Sequence, residues 1–190
     1  MTRPPMPICS EYVESACIEP LRAVVCETKE DEMHGLTFSI IINAPKEQVW
    51  RTMLDDATYR QWTSAFQEGS YAVTDWKEGS KALFLTPAGD GMVSRIVTHR
   101  PNEFLSIKHV GTVKGGVEDT ESAEAKTWAG ALENYTLQEV NGSSKLTVEM
   151  DANEEYRNYF EETWPKALNK LKDISETKRG SEPQRVRKSA

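Results

Sequence analysis

Three side chains able to move protons or hold a polar ligand head fall close together in one reading of this sequence: His109, Glu133 and Tyr135. An imidazole beside a carboxylate and a phenol can act as a general acid/base pair or grip a polar group. Two hairpins bring them together. Asn141-Gly142 is the strongest turn signal in the chain, and a two-residue turn there pairs Val140 with Ser143. One face then carries Glu133, Tyr135, Leu137, Leu146, Val148 and Met150, and the other carries Asn134, Thr136, Gln138, Lys145, Thr147 and Glu149. Burying the second set would strand its polar groups, so Glu133 and Tyr135 point inward.

A turn at Pro101-Asn102 that pairs Arg100 with Glu103 puts Met92, Ser94 and Ile96 on one face with Leu105, Ile107 and His109. This more apolar face is the inner one, so His109 points inward and His99 outward; a bulge would reverse the assignment. Between His109 and Glu133 runs Thr112 to Ala131, with Gly115-Gly116 and a cluster of four acidic residues. A connection of about 20 residues is long for a compact domain and is expected to cover the site, with a helical turn or two between Glu121 and Trp128. Trp62 and Trp128 are placed at the mouth of a cavity. Trp50 and Trp164 read as core, and Trp76 as a half-exposed packing residue. The candidate ligand-binding residues are therefore His109, Glu133, Tyr135, Ser94, Trp62 and Trp128. No catalytic residue is assigned, because a hydrogen bond that closes the sheet edge explains His109 and Glu133 equally well.

The elements that must position these residues follow from periodicity. Asn153 to Ser175 repeats Tyr156, Phe160, Trp164, Ala167, Leu171 and Ile174 on one side of a helix, with Asn153 as N-cap. At 1.5 Å per residue this helix is roughly 33 Å long and needs a broad apolar surface. Pro165 is expected to bend it or divide it in two. Leu36 to Asn43 alternates as a strand, with Ile41 out of phase. Two short helices follow, one burying Val49, Trp50, Met53 and Leu54, the next carrying Tyr59, Trp62 and Phe66. Six strands come next: Ser70–Trp76, Lys81–Pro87, Met92–Arg100, Phe104–Gly111, Leu132–Val140 and Ser144–Asp151. Short connections make them an antiparallel meander.

At 190 residues and net charge −7, the chain forms one domain with tails and lacks the basic face that nucleic-acid binding needs. No apolar run reaches membrane-spanning length and none near the start reads as a secretory signal, so the expected location is cytoplasmic. Residues 1–33 are broken by Pro4, Pro5, Pro7 and Pro20 and read as an irregular extension, with Met33 a candidate start. Residues 176–190 read as a disordered basic tail, leaving 34–175 as the domain. Cys9, Cys17 and Cys26 match no zinc or disulfide pattern and read as free thiols. No Ser-His-Asp order, phosphate loop or metal cluster appears, and no cofactor is expected.

The stretches FSIIINAPKEQVW, Tyr59 to Trp62, DWKEGS, GMVSRI, GALENYTL and FEETWPKAL resemble the START-like, or SRPBCC, superfamily. They are most similar to bacterial domains related to the Aha-type activator of the heat-shock-protein-90 ATPase. The resemblance implies an α+β helix-grip fold, in which a curved antiparallel sheet wraps a long C-terminal helix and leaves a cavity between them. The eukaryotic co-chaperone has a large separate N-terminal domain, which the 33 irregular residues are not expected to replace. Residues 34–175 contain no cysteine for the Rieske centre of some relatives. Function is expected to be the binding of a small, largely apolar molecule in that cavity. A cyclase- or dehydratase-like enzyme using His109 with Glu133, and a chaperone-activating or partner-binding module using the sheet's outer face, are the alternatives.

Overall fold

The computed structural model describes residues 34–178, without the side chains of His34 and Lys178. The expected N-terminal extension, its cysteines, Met33 as a start and nearly all of the basic tail lie outside the described residues. Strand β1 (His34–Ile42) opens the domain, with Leu36 and Ile42 buried and Ile41 facing out, as its alternation requires. Helices α1 (Lys46–Leu54) and α2 (Asp56–Thr63) follow. Then come β2 (Tyr71–Val73), β3 (Lys81–Leu85), β4 (Gly91–Arg100) and β5 (Phe104–Lys114). After these the chain forms β6 (Val117–Asp119), α3 (Ala123–Trp128), β7 (Leu132–Val140) and β8 (Ser143–Ala152), and ends in α4 (Glu154–Lys178).

The strands make one curved, open antiparallel sheet in the order β1-β8-β7-β5-β4-β3-β2, with β6 attached to β5. Helix α4 lies on its concave face with α1 and α2 beside it, so the architecture is an α+β helix grip. Trp164, Ala167, Leu168 and Leu171 of α4 meet Leu36, Leu137, Leu146 and Val148 of the sheet in a single core.

The β7–β8 hairpin has the expected register, from Val140 opposite Ser143 to Glu133 opposite Met150. The β4–β5 hairpin differs at its tip. Arg100 pairs with Phe104, so the turn holds one residue more than expected. Asn102 adopts a left-handed φ of 64°, which asparagine tolerates better than most residues. A bulge between Ile96 and Thr98 then absorbs the extra residue, and Ser94 still faces His109. The correction falls on His99. Beyond the bulge its parity reverses, and it turns in to stack on Trp50 at 5.6 Å rather than facing out.

Three further expectations change. The long connection is folded: β5 extends to Lys114, and β6 pairs back through Thr112 opposite Asp119 before α3 begins. Gly111 allows this return, because a Cβ there would lie 2.2 Å from the Asp119 carbonyl oxygen. Helix α4 is not divided at Pro165, which is exposed while Trp164 before it and Ala167 and Leu168 beyond it are buried in the core. Tertiary burial outweighs the one hydrogen bond that proline cannot make. Asn153 does not cap α4 with its side chain; its Oδ1 is buried without a hydrogen-bond partner, and its carbonyl accepts from the Tyr156 N–H at 3.1 Å.

Candidate functional site

The inner faces of β4, β5 and β7 deliver a row of polar side chains into the space beneath α4. Ser94 is fully buried and its Oγ lies 2.8 Å from His109 Nδ1. His109 Nε2 is 3.7 Å from Glu133 Oε2, ion-pair distance but too long for a good hydrogen bond. The Tyr135 hydroxyl donates to Glu133 Oε1. The backbone fixes this order: Ser94 is opposite His109, and Ile107 and Leu105 are opposite Glu133 and Tyr135. His109 is held further by its N–H to the Ala131 carbonyl and by its own carbonyl accepting from the Gly130 N–H, both at 2.9 Å.

With a neutral imidazole, the chain of donors has one sense. The Ser94 hydroxyl donates to Nδ1, which places the ring proton on Nε2, facing the Glu133 carboxylate. Burial, reinforced by the charge of Glu133, pushes the Tyr135 phenol well above its ordinary range, and the same two causes act on Tyr59. Both stay neutral donors.

These groups form the polar end of a cavity of about 340 Å³ between the sheet, α2 and the first half of α4. Its remaining wall is largely aromatic, with Leu85, Met92 and Met150 adding apolar surface and Thr63, Gln67, Ser70 and Thr86 polar groups. Trp62 packs edge-on against Tyr59 at 5.3 Å, and Phe66 packs edge-on against Trp164 at 5.0 Å. The indole N–H groups are turned elsewhere, Trp62 Nε1 to the Met53 carbonyl at 3.1 Å and Trp164 Nε1 to Met150 Sδ at 2.8 Å. Only ring faces and edges are left for the cavity.

Of the residues singled out from the sequence, His109, Glu133, Tyr135 and Trp62 line the cavity. Ser94 stands behind His109 as its hydrogen-bond partner. Trp128 is outside the lining, packed edge-on against Tyr156 at 5.3 Å, and no residue of 112–131 contributes to the wall. Tyr59, Phe66 and Phe84 also line it. The spacing of Tyr59 and Trp62 on one helix face was a usable signal for the first. Phe84 depends on the register of a short edge hairpin, which carries no such signal.

Among the described residues, no group of three or more His, Cys, Asp or Glu could hold a metal ion. None of their helices is long and apolar enough to cross a membrane.

A family model described as Activator of Hsp90 ATPase homolog 1-like protein matches residues 43–176. Among solved structures, the chain is similar to the Aha1 dimer from Colwellia psychrerythraea. Identity is 17% over 76% of this chain and 97% of that one, with a TM-score of 0.56. An AHSA1-like protein from Aeromonas hydrophila is similar at 14% identity over 77% and 94% of the two chains, with a TM-score of 0.58. A protein from Mesorhizobium loti gives 14% identity over 74% and 96%, with a TM-score of 0.58. At these identities the likeness is one of fold. No curated protein matches the sequence.

Proposed function

The chain belongs to the Activator of Hsp90 ATPase homolog 1-like family, and we propose that this member binds a small, largely apolar molecule between its sheet and α4. The observation that carries the reading is the cavity of about 340 Å³, aromatic over most of its wall and polar at one end. That volume lies at the small end of the range used for drug-sized ligands, and convergent polar groups at one end of an apolar pocket are how such sites fix orientation. His109, Glu133 and Tyr135 orient the ligand head, and Trp62 contacts its body. Ser94 sets the ring orientation of His109. A filled core would have left the sheet's outer face as the better candidate surface.

Native mass spectrometry of the freshly purified full chain tests this, with uptake of the neutral fluorophore N-phenyl-1-naphthylamine as a second readout. A co-purified small molecule, or saturable uptake of the fluorophore, is expected. His109→Gln should weaken uptake by about tenfold, as loss of one polar contact does, while changing the melting temperature little. A protein that carries nothing and takes up no fluorophore would overturn the reading.

A further inference from the structure

The charge of the cavity wall narrows the ligand class, given the cavity-binding reading above. Among the described residues, no lysine or arginine lines the cavity. Its one carboxylate is Glu133, whose side chain retains 18% exposure. The neighbouring cation Arg60 lies over the ring of Tyr71 at 4.9 Å and is paired to Asp56 at 2.9 Å, outside the lining.

The hydrogen-bond chain points the same way. Ser94 Oγ lies 2.8 Å from His109 Nδ1, while His109 Nε2 and the Tyr135 hydroxyl both face Glu133. A carboxylate only accepts, so Glu133 meets the cavity as an acceptor. Around it stand the π faces and edges of Tyr59, Trp62, Phe66 and Trp164. Aromatic rings attract cations, and a desolvated carboxylate excludes a second one. A fatty acid or any other anionic head would meet the Glu133 carboxylate with no lysine or arginine in the wall to offset it.

We propose that the cavity selects an apolar or aromatic amine, its ammonium group hydrogen-bonded to Glu133 within the aromatic wall, and rejects carboxylates of the same shape. Three probes with one apolar body separate the classes: 4-phenylbutylamine, 4-phenylbutanol and 4-phenylbutyrate, each competing against N-phenyl-1-naphthylamine on the full chain at pH 7.

The amine should bind best and the carboxylate worst. The alcohol should fall about ten- to a hundredfold below the amine, the range for a hydrogen bond between charged partners. Glu133→Gln should remove the advantage of the amine over the alcohol. Equal binding of the three probes, or tighter binding of the carboxylate, overturns the amine assignment while fluorophore uptake keeps the cavity reading standing. Absence of both a co-purified molecule and fluorophore uptake overturns both. The wild-type ranking needs no variant, so the test survives a Glu133→Gln chain that does not fold.

Discussion

Replacing Ser94 by alanine isolates the hydrogen bond that sets the sense of the donor chain. Ser94 is fully buried, its Oγ is 2.8 Å from His109 Nδ1, and His109 itself is only 7% exposed. Removing the hydroxyl takes away no cavity wall, because Ser94 is not part of the lining. It leaves one imidazole nitrogen in a place closed to water with nothing to bond. A buried polar group stripped of its partner costs about 1–3 kcal/mol. For the roughly 145-residue described domain each kcal/mol lowers the melting temperature by about 2–4 °C, so a fall of about 2–12 °C is expected. Urea unfolding of Ser94→Ala, His109→Leu and the double variant measures the term directly. Once the imidazole is gone the serine has nothing to satisfy, so the double variant should be no worse than His109→Leu alone. The coupling should then be at least as large as the Ser94→Ala cost, about 1–3 kcal/mol. A Ser94→Ala cost below about 0.5 kcal/mol, or two single costs that simply add, would refute the hydrogen bond as what holds the imidazole.

The remaining expectations concern the grip itself. Leu171→Ala should cost about 2–5 kcal/mol in chemical unfolding, because Leu171 is 1% exposed in the core. Tyr156→Ala, at a position 41% exposed and packed edgewise on Trp128 and at a tilt on Phe160, should cost no more than about 1.5 kcal/mol. Pro165→Ala should raise the melting temperature, by up to the equivalent of about 3 kcal/mol, because it restores a donor inside a continuous helix; an unchanged value would count against that account. Tyr59 and Tyr135 have folded-state pKa values above the unfolded value of about 10. The stability tied to them is complete below pH 10 and is lost as pH rises further. Absorbance at 295 nm should show these two phenols ionising only with alkaline unfolding. Their ionisation near pH 10 in a folded protein would contradict the burial.

What the sequence made legible depended on whether a signal was local. Asn141-Gly142 fixes a two-residue turn by its own backbone preference, so Glu133 and Tyr135 could be placed inward before any coordinates. Pro101-Asn102 marks a turn but not its length. His109 was placed correctly because the bulge between Ile96 and Thr98 cancels the extra turn residue, and His99, lying between the two, was not. Nothing in the side chains around Val97 announces that bulge. The fold of 112–131 was hidden for a similar reason: Gly111 is permissive, and only the approach of Asp119 shows why it must be glycine. Tyr156 fits the helix period of the buried stripe, yet the sheet beneath α4 does not reach its first turn, so it packs on Trp128 instead. Periodicity states which side of a helix is apolar, but where the opposing surface ends is a tertiary property.

The pairing of β1 with β8 has a consequence for how the chain emerges from a ribosome. Leu36 must wait for Met150 and Phe38 for Val148, and the core stays uncovered until α4 follows. At roughly 5–20 residues per second, about 6–22 seconds pass between synthesis of the first strand and the start of the last helix. Over that interval the nascent segment FSIII has no mate for its backbone and no cover for its side chains. The β4–β5 hairpin can close meanwhile, since its contacts are local, but the concave face it begins stays bare. Productive folding is therefore a late, nearly all-at-once event after most of the domain has been made. A ribosome stalled anywhere before residue 150 displays a sticky, half-built sheet that invites binding by a holding chaperone or pairing with a neighbouring nascent chain.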